Sequence, residues 1–202
     1  MKDQGPLPSS EPEAVLRRWI GLDPHTIGES AIRRAVRVRM VSLAVDDLAA
    51  YVRLVETDPG ERDRLVEEVV VAESWFFRDQ QVYEQVRRHV ASRLGNGNRG
   101  EPMRILSAPC AAGEEPYSIA MALLDAGHAP GSFRIDAIDV SRVALAKATA
   151  GRYSANAFRN ADSSYRDRWF RVDARGAVLD DSVKTCVRFA WANILEPGFL
   201  ED

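Results

Sequence analysis

The stretch "ILSAPCAAGEEPYSIAM", Ile105 to Met121, decides the fold. An apolar run ends at Ser107, a loop of small residues follows, and a helix begins near Pro116. In an open α/β sheet such a loop lies beyond the carboxyl end of a strand, where ligands bind. Ala108, Ala111, Ala112 and Gly113 allow a ligand to approach the backbone closely. A dinucleotide fold places G-x-G-x-x-G at this point, so that a pyrophosphate meets the helix N-terminus. Here one glycine is followed by two carboxylates, Glu114 and Glu115. They suit the positive end of a helix but repel a phosphate and attract a cation.

Two readings of that pair stand side by side. The glutamates either only favour the helix start, or select a nucleoside that carries positive charge and no phosphate, as S-adenosylmethionine does. The flanking sequence favours the second. "FRIDAID" is a strand ending in Asp139, where a carboxylate can accept both hydroxyls of a ribose. Ser141 is the better placed N-cap for the helix "SRVALAKATAG", which closes at Gly151. "CVRFAWANI" is a third strand with Val187, Phe189 and Trp191 on one face, and it ends in Asn193. The amide of Asn193 or the neighbouring backbone suits an adenine edge.

Alternation of strands with helices predicts a parallel sheet with crossover helices. "RWFRVDARGAVLD" predicts a short hairpin turning near Ala174–Gly176. The first half reads differently. From Glu13 to about Val90 apolar residues recur at three and four, as in Leu48, Tyr51, Val52 and Val55. Ser30, Asp46 and Asp58 are its expected N-caps. The predicted class is α/β, a helical bundle followed by a Rossmann-like sheet. The expected domains are a disordered tail over 1–12, a helical domain over 13–72, and a cofactor domain over 73–202. A small hairpin subdomain is expected near 165–182.

Composition excludes several classes. The 202 residues carry a net charge of −3, which gives no electrostatic footprint for nucleic acid. No apolar run approaches the roughly 20 residues of a membrane-spanning helix. The polar, Pro/Ser-rich start is unlike a signal peptide. Two cysteines, Cys110 and Cys186, make neither a disulfide framework nor a metal cluster, so a reducing cytoplasm and no metal are expected.

"SAPCAAGEEPYSIAM", "ESWFFRD", "AIDVSRVALAKATAGRYS" and "ANILEP" together resemble the CheR-type chemoreceptor glutamate O-methyltransferases, in the family's order. The resemblance implies S-adenosyl-L-methionine as cofactor and glutamate side chains of a chemoreceptor as substrate. It places cofactor contacts at Glu115, Asp139, Asn193 and Ile194, and sets Arg78 facing the cofactor and the reacting centre. Ser74 stands where the family has a threonine, and Ala72 replaces an asparagine of the family. Trp75, Phe76 and Phe77 are expected in a core. The family uses a helix corresponding to "IRRAVRVRM" to approach an acidic, helical cytoplasmic receptor domain. Arg33, Arg34, Arg37 and Arg39 either serve that docking or form a solvated face. A substrate carboxylate, with a reference pKa of about 4.3, is ionised at neutral pH and needs no general base. The scattered His25, His89 and His128 therefore need no catalytic role.

The chain ends at "GFLED", whereas the family continues into further strands, so a fragment of a longer enzyme is expected. A non-catalytic docking module with a vestigial cofactor site is the alternative. A Rossmann oxidoreductase is disfavoured by the missing glycines and the paired glutamates. Family members that tether to a receptor tail peptide carry a longer loop at the hairpin turn; the short "DARG" predicts no such tether.

Overall fold

The computed structural model describes residues 12–21, 28–70, 73–95, 102–159 and 164–196. The tail, the "GNGNRG" linker and Ala72 lie largely or wholly outside them. The chain divides into two compact units, Met1–Val71 with Asn193–Asp202, and Ala72–Ala192.

The first unit is helical: α1 (Pro12–Ile20), α2 (Glu29–Ser42), α3 (Leu48–Thr57) and α4 (Pro59–Val69). Its core holds Tyr51, Val52 and Val55 of the predicted stripe together with Leu16, Ile32, Leu65 and Val66, while Leu48, the fourth residue of that stripe, is exposed. Asp58 caps α4 through the Gly60 amide, with Pro59 at the first helical position. The other two expected caps are corrected. Asp47, not Asp46, accepts from Ala49 and Ala50 to start α3, and α2 begins at Gly28 with no side-chain cap.

The second unit opens with α5 (Gln80–Gly95). A parallel sheet follows, ordered β1 (Met103–Ser107), β2 (Phe133–Asp139), β6 (Val187–Trp191), with Ile105 opposite Ile135 and Ala137 opposite Phe189. The crossovers are α6 (Glu114–Asp125) and α7 (Arg142–Ala150). Pro116 to Leu123 are buried on every side of α6, which packs on α5 and the sheet. This is the Rossmann-like arrangement the sequence predicts.

The hairpin, β4 (Phe170–Asp173) and β5 (Gly176–Leu179), turns over Ala174 and Arg175. It is larger than expected: β3 (Arg152–Tyr153) adds a third strand on the far side of β5. The close approach needs a glycine. Gly176 has φ 125°, and a Cβ there would lie 2.5 Å from the Tyr153 carbonyl oxygen. Short helices α8 (Ser164–Trp169) and α9 (Asp181–Lys184) flank this sheet.

Candidate cofactor site

Ser107 ends β1, and the loop that follows is held from all sides. The Cys110 amide donates to the Ile138 carbonyl at the end of β2 (2.9 Å). Ala111 sits at φ 48°, an uncommon conformation for a residue with a Cβ, and its amide donates to Asp139 Oδ2 (2.8 Å). The Ala112 carbonyl accepts from the Tyr153 hydroxyl (2.8 Å). Gly113, at φ 91°, is the pivot into α6; a Cβ there would lie 2.9 Å from that of Ala148 and 3.1 Å from Phe189. The missing side chain lets helix, sheet and loop meet.

Asp139 is buried, and its second oxygen accepts from the Ser141 amide (2.8 Å). Both carboxylate oxygens therefore fix backbone before any ribose is considered. A carboxylate has about four lone-pair sites, so capacity remains for a ligand hydroxyl. Ser141 caps α7 through the Ala144 amide (3.0 Å), as the sequence predicts.

The two glutamates part company. Glu115 is exposed at the mouth of the loop, and its Oε1 accepts from the buried Ser107 hydroxyl (2.7 Å). Glu114 turns inward; its Oε2 is buried with no hydrogen-bond partner among the described residues. Desolvation raises its carboxyl pKa against the opposing pull of backbone amides. Burial and the charge of Asp139 push the Cys110 thiol up to about 12, so it is no nucleophile at neutral pH.

The "ESWFFRD" segment belongs to the same unit and is tied to this site. The Phe77 amide donates to Ser118 Oγ (3.0 Å), which donates to the Glu114 carbonyl in the first turn of α6 (2.6 Å). Phe76 is fully buried among Tyr153, Phe158 and Phe170. Phe77 packs on Tyr83 and Tyr165. Trp75 departs from the expected core: it is half-buried, beside the guanidinium of the exposed Arg78. Ser74 is half-buried.

Residues 72–201 match the family described as CheR methyltransferase, SAM binding domain. The chain belongs to the CheR methyltransferase family. Among its curated relatives is the probable biofilm formation methyltransferase WspC of Pseudomonas aeruginosa, 44% identical over 188 residues, which are 93% of this chain and 44% of that protein. Its namesake in Pseudomonas putida is 39% identical over 91% of this chain and 43% of its own length. The chemotaxis protein methyltransferase of Escherichia coli is 33% identical over 68% of this chain and 46% of its own length. The chain thus spans less than half of these relatives.

A CheR domain takes S-adenosyl-L-methionine, and the loop fits that cofactor. Its mouth offers a fixed, exposed carboxylate for a cationic group, and its small side chains leave the backbone approachable. Glu115, Ser107, Asp139 and the loop amides are brought together. Asn193 and Ile194 are grouped with the helical unit. The Asn193 side chain is already engaged there, donating to the Trp19 carbonyl (2.6 Å) and accepting from the Leu195 amide (3.1 Å). Its amide is therefore committed within that unit. Ile194 is exposed.

Of the four arginines on α2, Arg39 is corrected. It points into the helical core and forks onto buried Glu61, with Nε–Oε1 2.9 Å and Nη2–Oε2 2.8 Å. Arg34 is exposed, and Arg33 reaches exposed Glu29 at 3.1 Å. Arg17, Arg18, Arg33 and Arg37, with the carboxylates Glu29 and Asp46, line an open groove of about 1010 Å³ together with Val36, Met40 and Leu48. Among the described residues no helix is long and apolar enough to cross a membrane.

Sequence reasoning missed Tyr153 and Ser118. Both lie in stretches that carry the family resemblance, "GRYS" and "EEPYS", yet their partners are loop and helix backbone that no spacing rule reveals.

Proposed function

We propose that the protein is a protein-glutamate O-methyltransferase acting in the cytoplasm on the helical signalling domain of a chemoreceptor-like protein. The observation that carries this reading is Glu115, an exposed carboxylate fixed by Ser107 at the mouth of a CheR cofactor loop. S-adenosyl-L-methionine supplies an electrophilic methyl group. A substrate carboxylate needs no deprotonation at neutral pH, so the protein's task is alignment, which can contribute roughly 7–11 kcal/mol. In this reading Glu115 and Asp139 hold the cofactor, with Ser74 as a further polar contact. Arg78 orients the incoming carboxylate.

Receptor docking falls to the groove lined by Arg33 and Arg37, with Arg34 beside it. An acidic amphipathic helix matches a groove in which four arginines outnumber the carboxylates Glu29 and Asp46 and apolar side chains lie beside them. The two-residue hairpin turn leaves little room to shape a peptide groove, so no receptor tail tether is involved.

The test is incubation of the whole gene product with methyl-labelled S-adenosyl-L-methionine and a cytoplasmic receptor fragment. Base-labile label on the receptor, the signature of a carboxyl methyl ester, is expected. Deleting the receptor's C-terminal tail should leave the rate unchanged. Cofactor binding without any label on receptor would instead assign a non-catalytic docking module.

A further inference from the structure

We infer that Trp75, braced by Arg159 and Glu73, is a platform that positions Arg78 for the reaction. The inference rests on the proposed role of Arg78 and extends it to three residues that the cofactor contacts do not include.

Arg78 is exposed, and among the described residues no carboxylate lies within ion-pair distance of it. A long, solvated arginine spreads over many rotamers, which is a poor way to aim a charge. Here its guanidinium carbon lies 4.5 Å from the centroid of the Trp75 ring, a favourable cation–π distance. A second guanidinium, that of Arg159, lies 5.4 Å from the same centroid. Two cations at one ring would repel. Arg159, however, is neutralised by Glu73, with Nη1 at 2.6 Å from Oε1. Arg159 holds the Glu73 carboxyl below its usual range, first by this hydrogen bond and then by its charge. Glu73 also feels the charge of Arg78, but its direct ion pair is with Arg159, so the cluster carries a net charge of one positive unit with no direct ion-pair partner at the Arg78 end among the described residues.

The backbone beneath is fixed on both strands of the contact. The Phe76 amide donates to the Ala157 carbonyl (2.9 Å), and the Phe76 ring stacks on Phe158 at 5.3 Å. Trp75 and Arg159 are the residues directly flanking that tie. On the other side Phe77 adopts φ 53°, rare for an aromatic residue, and its amide is held by Ser118. Left-handed backbone at a bulky residue is the kind of strain found where a side chain must be aimed. The turn presents Arg78 while the indole limits where its guanidinium can go.

The test uses the whole gene product in the methylation assay, with R78A, W75L, W75F, R159M and the double variant R78A/W75L. W75L should lower kcat about tenfold, as modest misplacement of an orienting group does, with cofactor Kd and melting temperature little changed. W75F keeps an aromatic face and should recover most of the rate; R159M should fall between. W75L should add nothing to R78A, because the platform acts only through that arginine. Additive losses in the double variant, or W75F as impaired as W75L, would overturn the inference. So would W75L proving silent while R78A is deleterious. An R78A variant with unchanged kcat would instead remove Arg78 from the reaction, and the platform's function with it. Should W75L fold poorly, W75F and R159M decide between the same outcomes.

Discussion

In the helical unit Glu61 is enclosed with both oxygens engaged, by the Arg39 fork, the Tyr51 hydroxyl at 3.1 Å and Arg64 at 3.5 Å. In the α/β unit Glu114 is enclosed with one oxygen touching no donor among the described residues. A buried charge with a full set of partners ties elements together, and Glu61 joins α2, α3 and α4. A buried acid left short of partners gains nothing for the fold, and such groups concentrate beside functional sites. Glu114 adjoins the candidate cofactor loop. Between the extremes stands Asp139, satisfied by backbone amides yet with acceptor capacity to spare.

The largest effect expected from this contrast is at Arg39. Arg39→Ala leaves Glu61 buried with weaker partners and should cost about 3 kcal/mol, read by chemical denaturation. Arg33→Glu combined with Arg37→Glu should change stability by under about 0.5 kcal/mol. That pair should instead raise the receptor KM, with the effect shrinking at high salt. An Arg39→Ala protein of unchanged stability but raised KM would return this residue to the docking face.

A middle-sized effect is expected at Asp139. Asp139→Ala strips the Ala111 and Ser141 amides of their acceptor and should cost about 1–3 kcal/mol of stability. Cofactor affinity, measured by calorimetry, should fall roughly tenfold or more, since about 1.4 kcal/mol is a factor of ten. An unaltered dissociation constant would leave Asp139 a purely structural residue.

Among the three acids and their partners the smallest effect is at Glu114, and its sign is the reverse. A carboxyl whose folded pKa is raised stabilises fully only below its unfolded value, and that contribution is lost as pH rises through the folded value. Ionised Glu114 therefore weighs against folding at neutral pH. Glu114→Gln should stabilise by about 1 kcal/mol at pH 7 to 8, with the advantage fading as pH falls toward the ordinary carboxyl range. A difference that grows toward low pH would contradict the buried, underpartnered acid.

Much of this was legible in the chain itself. Ser141 and Gly151 bracket α7 as their chemistry predicts, and alternation along "CVRFAW" orients β6 correctly. The family and cofactor follow from "GEEPYS" and the strand ends. What escaped is tertiary. Nothing local tells that Arg39 turns inward while Arg33 and Arg37 face out; the reason is Glu61, on another helix. Neighbouring Glu114 and Glu115 look alike as letters and differ because, at the first turn of an otherwise buried helix, one points into the interior and the other to solvent. A two-residue strand such as β3 is too short to show alternation, so the third strand of the small sheet went unseen.

That strand carries Tyr153, whose ring lies in the aromatic cluster and whose hydroxyl ends on the Ala112 carbonyl. The phenol works as a stiff strut between the small sheet and the cofactor loop. Ala112 and Gly113 have little slack, with Gly113 pressed against Ala148 and Phe189. A shift in β3 is therefore transmitted to the loop rather than absorbed. Sequence changes in the hairpin, which pairs with β3, reach the candidate cofactor loop through one hydrogen bond, so the small sheet inherits the tolerances of the loop it props.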